Sequence, residues 1–280
     1  MDTTHRALLI ALVVFVAGPQ SGFAQTEISA PPASASLSPP EMEKFLLAGR
    51  IVKKKESSKG VTSAFRVTLS DGALTHDAQV QNVDIARPLF EVGPKYTEVN
   101  FKDSYRYNIA AYRLAGFLGL DNVPMSVERN VEGKPAAVTW WLDEVMDEGD
   151  RKKKNLPHAN SLRAVEYFSL MYVFDELIQN RDRNAGNIVW GRDSKMWFID
   201  HTRAFRVGRD LLTPANLTRI ERKTLEKLRT LDRAAFTSAV GNTLTKDEID
   251  ALFIRRDKIV QLFDQKIATL GEEKVFYTIR

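Results

Sequence analysis

The hydrophobic period changes along this chain, and that change limits the folds open to it. Between residues 50 and 84 apolar side chains tend to alternate, with Val61, Phe65, Val67 and Leu69 mostly on every second position. The breaks at SSKG and SDG set Gly beside Ser or Asp, the chemistry of tight turns, so three strands in a meander are expected. From Tyr105 the spacing becomes helical through Ile109, Ala110, Tyr112, Leu114, Phe117 and Leu118, and Gly119 supplies a stop. VPMSVER and KPAAVTWWLDEVM return to strand, giving the order β-β-β-α-β-β. After a polar, basic connector over 147–160, SLRAVEYFSLMYVFDELI reads as a long helix with Ser161 as its N-cap. Beyond Phe205 the pattern is almost wholly helical, with a capping box at Thr245 and Glu248 and a stop at Gly271. The expected class is α+β in two lobes: a β-rich lobe over 41–146 and a helical lobe over 147–280.

The N-terminus is read separately. An apolar run of about a dozen residues, ALLIALVVFVAG, precedes small residues at Gly22 and Ala24, the pattern of a secretory signal peptide over 1–24. It is shorter than the roughly 20 residues a spanning helix needs, so no stable membrane span is expected after cleavage behind Ala24. Residues 25–40 are rich in Pro, Ser and Ala and read as a disordered linker. Export in a bacterium places the mature chain in the periplasm or outside the cell. Without cysteine, neither a lipid-anchored cysteine nor a disulfide is available. The net charge of +4 is too modest to imply nucleic acid as a partner.

The stretch NRDRNAGNIVWGRDSKMWFID, residues 180–200, carries the chemistry. NIVW and MWFI are short apolar runs joined by GRDSK, a link of hairpin length. If they pair, Asn187 at the start of one strand and Asp200 at the end of the other face each other, roughly 5 Å apart at Cβ. Asp182 lies five residues before Asn187 in the loop leaving the long helix, so three oxygen-bearing side chains converge. Hard cations such as Mg²⁺ or Mn²⁺ take such donors, with water or phosphate completing the shell. Asp175 and Glu176 read as helix charges, with Asp175 also able to anchor the loop. His201 reads as packed and hydrogen-bonded, while Arg203 and Arg206 read as solvated cations that are also able to hold phosphate.

The spacing of Asp182, Asn187 and Asp200 resembles that of the catalytic loop and metal-binding aspartate of protein kinases. NRDRNAGN and IDHTRAF, together with FDELIQNRDRNAGN and RYNIAAYRLAGFLGLDNVP, resemble the atypical branch of that superfamily over about 105–206. That branch includes phosphoinositide kinases, bacterial HipA-type kinases and secretory-pathway kinases of the Golgi casein kinase type. The resemblance implies a kinase-like phosphotransferase acting on a hydroxyl of a protein, lipid or small molecule. It assigns Asp182 to orienting or deprotonating the acceptor, and Asn187 and Asp200 to holding Mg²⁺ against the phosphates of ATP. It makes ESSKG, with Lys59 and Gly60, the phosphate flap, and WWLDEV the hinge that reads adenine.

The chain departs from that pattern where a strand Lys and a helix Glu are expected. Gln79 and Gln81 occupy the strand, and Asn108 stands in the helix, so a neutral hydrogen bond from Gln81 to Asn108 is expected beside the nucleotide. The replacement cation is then one of Lys59, Lys54 or Lys102. Two other readings stay open: a non-catalytic pseudokinase scaffold, and nucleotidyl transfer to protein.

Overall fold

In the computed structural model the described residues are 37–56, 64–93 and 96–278. The flap residues Lys59 and Gly60, with Ser57, Ser58 and Thr62, lie outside them, as do the expected signal peptide and most of the linker. The first element among the described residues is helix α1 (Pro39–Ala48). Residues 38–40, assigned to the linker from composition, start this helix. Ser38 forms a capping box with Glu41, and Pro stands in the first turn, where its missing N–H costs nothing.

Strands β1 (Arg50–Glu56), β2 (Phe65–Ser70) and β3 (Thr75–Gln81) form the expected antiparallel meander. Strands β4 (Asp84–Gly93) and β5 (Tyr96–Ser104) then pair in a separate two-stranded sheet. This hairpin was absent from the β-β-β-α-β-β order expected above. Helix α2 (Arg106–Leu118) ends at Gly119, whose left-handed φ of 69° is one that glycine adopts without cost. Strands β6 (Ser126–Val131) and β7 (Lys134–Trp140) complete a five-stranded sheet in the order β1-β2-β3-β7-β6.

One face of that sheet packs on α1 through Val67, Leu69, Ala78, Val80, Val127 and Val138. Because side chains alternate across a strand, Asp77, Gln79 and Gln81 fall on the opposite face, toward α2. Strand β7 ends at Trp140, so residues 141–145, read from the sequence as the end of a strand, leave the sheet without regular structure. The polar, basic connector carries β8 (Met146–Asp147) at its start and α3 (Glu148–Lys153), capped by the Asp147 carboxylate.

Helix α4 (Ser161–Ile178) is buried through Tyr167, Leu170, Met171, Phe174 and Leu177. Its N-cap is Asn160, not Ser161, because the Asn160 side chain accepts the Arg163 N–H. Strands β9 (Ile188–Trp190) and β10 (Met196–Phe198) pair as expected, and β8 adds a third strand beside β9. After β10 the chain runs without regular structure to β11 (Ile220–Glu221), except for one 3₁₀ turn, so helix begins later than the pattern implied. Helices α5 (Arg222–Arg229), α6 (Arg233–Val240), α7 (Lys246–Leu270) and α8 (Glu272–Val275) follow, and β12 (Phe276–Tyr277) pairs parallel with β11. The Thr245–Glu248 capping box and the stop at Gly271 are both present. Among the described residues no helix is long and apolar enough to cross a membrane.

Candidate functional site

Helix α4 ends in the left-handed residue Gln179, which turns the chain sharply into the loop 180–187. Asp175, in the last turn of α4, anchors that loop. It accepts hydrogen bonds from Nε and Nη2 of Arg183, at 2.9 and 3.0 Å, and from the Asn180 amide at 3.1 Å. Asn180 Oδ1 in turn accepts the Asp182 N–H at 3.1 Å.

Arg183 also donates to the carbonyls of Asn187, at 2.6 Å, and Ile199, at 2.8 Å. One guanidinium therefore fastens the helix end, the loop and both hairpin arms. Its planar fork of donors suits the task in a way an ammonium does not. Apart from its position inside the motif, nothing in the residue pattern singles Arg183 out.

The hairpin register is Ile188 opposite Phe198, and Ile199 N–H donates to Asn187 O at 3.2 Å. Asn187 thus faces Ile199, so the direct facing of Asn187 and Asp200 expected from the sequence is offset by one residue. Asp200 lies just beyond the pair in a left-handed conformation, φ 55°, which Asp tolerates better than most side chains. Asn187 Nδ2 donates to the Asp182 carbonyl at 3.1 Å, fixing the two loop residues to each other. Asp182 is 42% exposed, and Arg203 Nη1 stands 3.6 Å from its carboxylate. Partial burial raises the Asp182 carboxyl pKa, with Arg203 opposing and Asp200 adding to the rise.

Gln81 and Asn108 meet as expected, the Asn108 amide donating to Gln81 Oε1 at 2.8 Å in a buried setting. Asn108 Oδ1 also accepts the His201 backbone N–H at 2.8 Å, next to Asp200. The His201 ring is buried against Phe174, and burial holds its pKa well below the usual value, so it stays neutral.

Of the cations read as replacements for a strand lysine, Lys102 pairs with Glu248 at 2.5 Å and Lys54 with Glu132 at 3.0 Å. Lys59 is outside the described residues. Arg206 is buried, not solvated: it pairs with buried Glu98 at 2.8 Å, and Arg203 reaches the same carboxylate at 3.2 Å.

Sequence reasoning missed Asp103, at the end of β5. It is 7% exposed, and its carboxyl is raised first by burial, with the Thr202 hydroxyl opposing and Asp200 reinforcing the rise. That same hydroxyl bonds Asp200 Oδ1 at 3.0 Å. Ser104 N–H donates to the Thr202 carbonyl at 2.8 Å, tying β5 to the segment after Asp200.

A cleft of about 670 Å³ opens beside the loop, with Asp182, Asn180, Arg181, Asn184, Arg203 and Tyr172 on its wall. Asn187, Asp200, Gln81 and Asn108 do not line it, so Asp182 stands between this cleft and the hairpin end. Among the described residues no three His, Cys, Asp or Glu side chains are grouped to hold a metal by themselves. A divalent ion here would draw on Asn187, water and phosphate as well as carboxylates.

No family model and no curated protein matches the sequence. The fold is similar to solved kinase-like structures. For hydra Fam20, solved with sugar, the TM-score is 0.64 at 16% identity, over 85% of this chain and 91% of that one. For a Golgi casein kinase with Mn/ADP bound it is 0.61 at 15% identity, over 85% and 78%. For the Helicobacter pylori proinflammatory kinase CtkA it is 0.52 at 14%, over 80% and 98%. At these identities the likeness establishes the fold: an atypical kinase-like fold with a β-rich N-terminal part and a helical C-terminal part.

Proposed function

We propose that this protein is an exported phosphotransferase that moves the γ-phosphoryl group of ATP to a hydroxyl group. The observation that carries the reading is the join of Asn187 Nδ2 to the Asp182 carbonyl at 3.1 Å, with Asp200 just past the hairpin pair. Asp182, half-buried on the cleft wall, would orient the acceptor hydroxyl and receive its proton. Asn187 and Asp200 would hold Mg²⁺ or Mn²⁺.

The donor set fits such an ion. It is all hard oxygen, and a buried carboxylate oxygen beside it, Asp103 Oδ1, has no hydrogen-bond partner among the described residues. When bound, the ion would neutralise phosphate charge during transfer. The protein's own share is position: Arg183 fixes the loop to the hairpin, and the 670 Å³ cleft gives an acceptor access to Asp182. The bound Mn/ADP of the Golgi casein kinase supports the same choice of ligands here. The N-terminal apolar run supports export, which sequencing the mature N-terminus tests by finding, or not finding, a start after Ala24.

Thermal melting with ATP and Mn²⁺ tests binding, since ligand at 100 times its dissociation constant adds about 2.7 kcal/mol. Transfer of labelled γ-phosphate separates the enzyme from a scaffold. One observation favours that second reading, a kinase-like scaffold without catalysis: the neutral Gln81–Asn108 pair stands where related kinases are expected to carry Lys and Glu. Melting that responds to nucleotide without any transfer would select it.

A further inference from the structure

We infer that Asp103 is a ligand, together with Asp200, for the divalent cation of this site. The inference rests on the phosphotransferase reading and adds to it a residue outside the loop and hairpin. Asp103 comes from β5, the hairpin the sequence did not reveal. It is 7% exposed, and its Oδ1 has no hydrogen-bond partner among the described residues. A buried carboxylate with an orphan oxygen is costly unless a cation or donor completes it.

Its surroundings make the need greater. The Thr202 hydroxyl bonds Asp200 Oδ1 at 3.0 Å and lies near enough to Asp103 to lower its carboxyl pKa, so one small group stands beside both carboxylates. A hydroxyl carries a single proton, so it cannot donate fully to both. Arg203 is the cation beside them, but it is shared with Glu98 at 3.2 Å and Asp182 at 3.6 Å. The neutral Gln81–Asn108 pair brings no positive charge. A divalent ion between Asp103 and Asp200 would satisfy the orphan oxygen and offset the like charges. The position is held from both sides, because Ser104 N–H bonds the Thr202 carbonyl and Asn108 bonds the His201 N–H.

Mn²⁺ binding without nucleotide, read by electron paramagnetic resonance of the free ion, tests this on three variants. Asp103→Asn keeps the shape and should weaken Mn²⁺ binding at least about tenfold while melting, metal-free, no lower than the unaltered chain. Asp200→Asn should weaken it as well. Asp103→Cys should exchange Mn²⁺ affinity for Cd²⁺ and show the ultraviolet thiolate-to-cadmium band, which is diagnostic because the chain has no other cysteine. Wild-type Mn²⁺ binding in Asp103→Asn, or no cadmium band in Asp103→Cys, overturns the inference while Asp200→Asn remains defective. If Asp200→Asn also binds Mn²⁺ normally, the metal-dependent reading itself fails.

Discussion

Asn108 donates its side-chain amide to Gln81 and accepts the His201 backbone N–H, both at 2.8 Å, so one neutral side chain links β3, α2 and the segment that presents Asp200. In a buried setting each of these groups would cost roughly 1–3 kcal/mol if left unmade. We expect Asn108→Glu alone, or Gln81→Lys alone, to destabilise the fold by about 2–4 kcal/mol, since each buries an unpaired charge. The double variant should recover most of that loss through a Lys–Glu pair. Urea unfolding of all four proteins measures the coupling, and strictly additive losses would refute it.

Asp182 is the part of the site open to the cleft. Asp182→Asn should lower phosphoryl transfer by about 10²–10⁴ while leaving the nucleotide-dependent melting shift in place. A variant that loses binding and transfer together would point to a structural role instead.

Glu148 gives the fold an acid limb. Its carboxylate is 2% exposed and accepts hydrogen bonds from Nε and Nη2 of Arg151, at 2.7 and 2.8 Å, and from the Trp190 indole N–H at 2.9 Å. The Arg151 hydrogen bonds, against the opposing effect of burial, hold its pKa down to about 2. Because the folded value lies below the unfolded one of about 4.3, the stabilisation is complete above that pH and fades as pH falls toward 2. Glu148→Gln should lose on the order of 3 kcal/mol at neutral pH and show a flatter decline between pH 4.3 and 2 in melts across pH.

Arg255 on α7 is fully buried and donates to three carbonyls: Leu177 and Arg206, each at 2.9 Å, and Gly208. These belong to the end of α4 and to the segment after Asp200. Arg255→Met fills much of the volume but leaves the carbonyls unpaired, so a loss of about 3–5 kcal/mol in denaturant unfolding is expected. A loss under about 1 kcal/mol would mean that water replaces the guanidinium.

Local periodicity and turn chemistry made much of the fold legible. The meander, the stop at Gly119, the hairpin 188–198 and the capping box at Thr245 all follow from patterns within one or two turns of chain. The β4–β5 hairpin did not, because Pro88 interrupts it and Ile85, Leu89 and Val99 remain exposed, so no single face reads as buried. Within the site, the Gln81–Asn108 contact was legible because both expected charges are missing together. Arg183 and Asp103 were not, since their roles depend on carbonyls and hydroxyls contributed by distant segments. Arg206 read as a surface cation because its partner, Glu98, lies in the hairpin that sequence did not expose.

The amide link at Asn108 also bears on how this protein responds to its medium. Ion pairs at such a position weaken as salt rises or as a carboxylate takes up a proton, and can thereby serve as a hinge for activation. Two uncharged amides have neither sensitivity, so the join of β3 to α2 through Gln81 and Asn108 depends neither on salt nor on the protonation of a carboxylate.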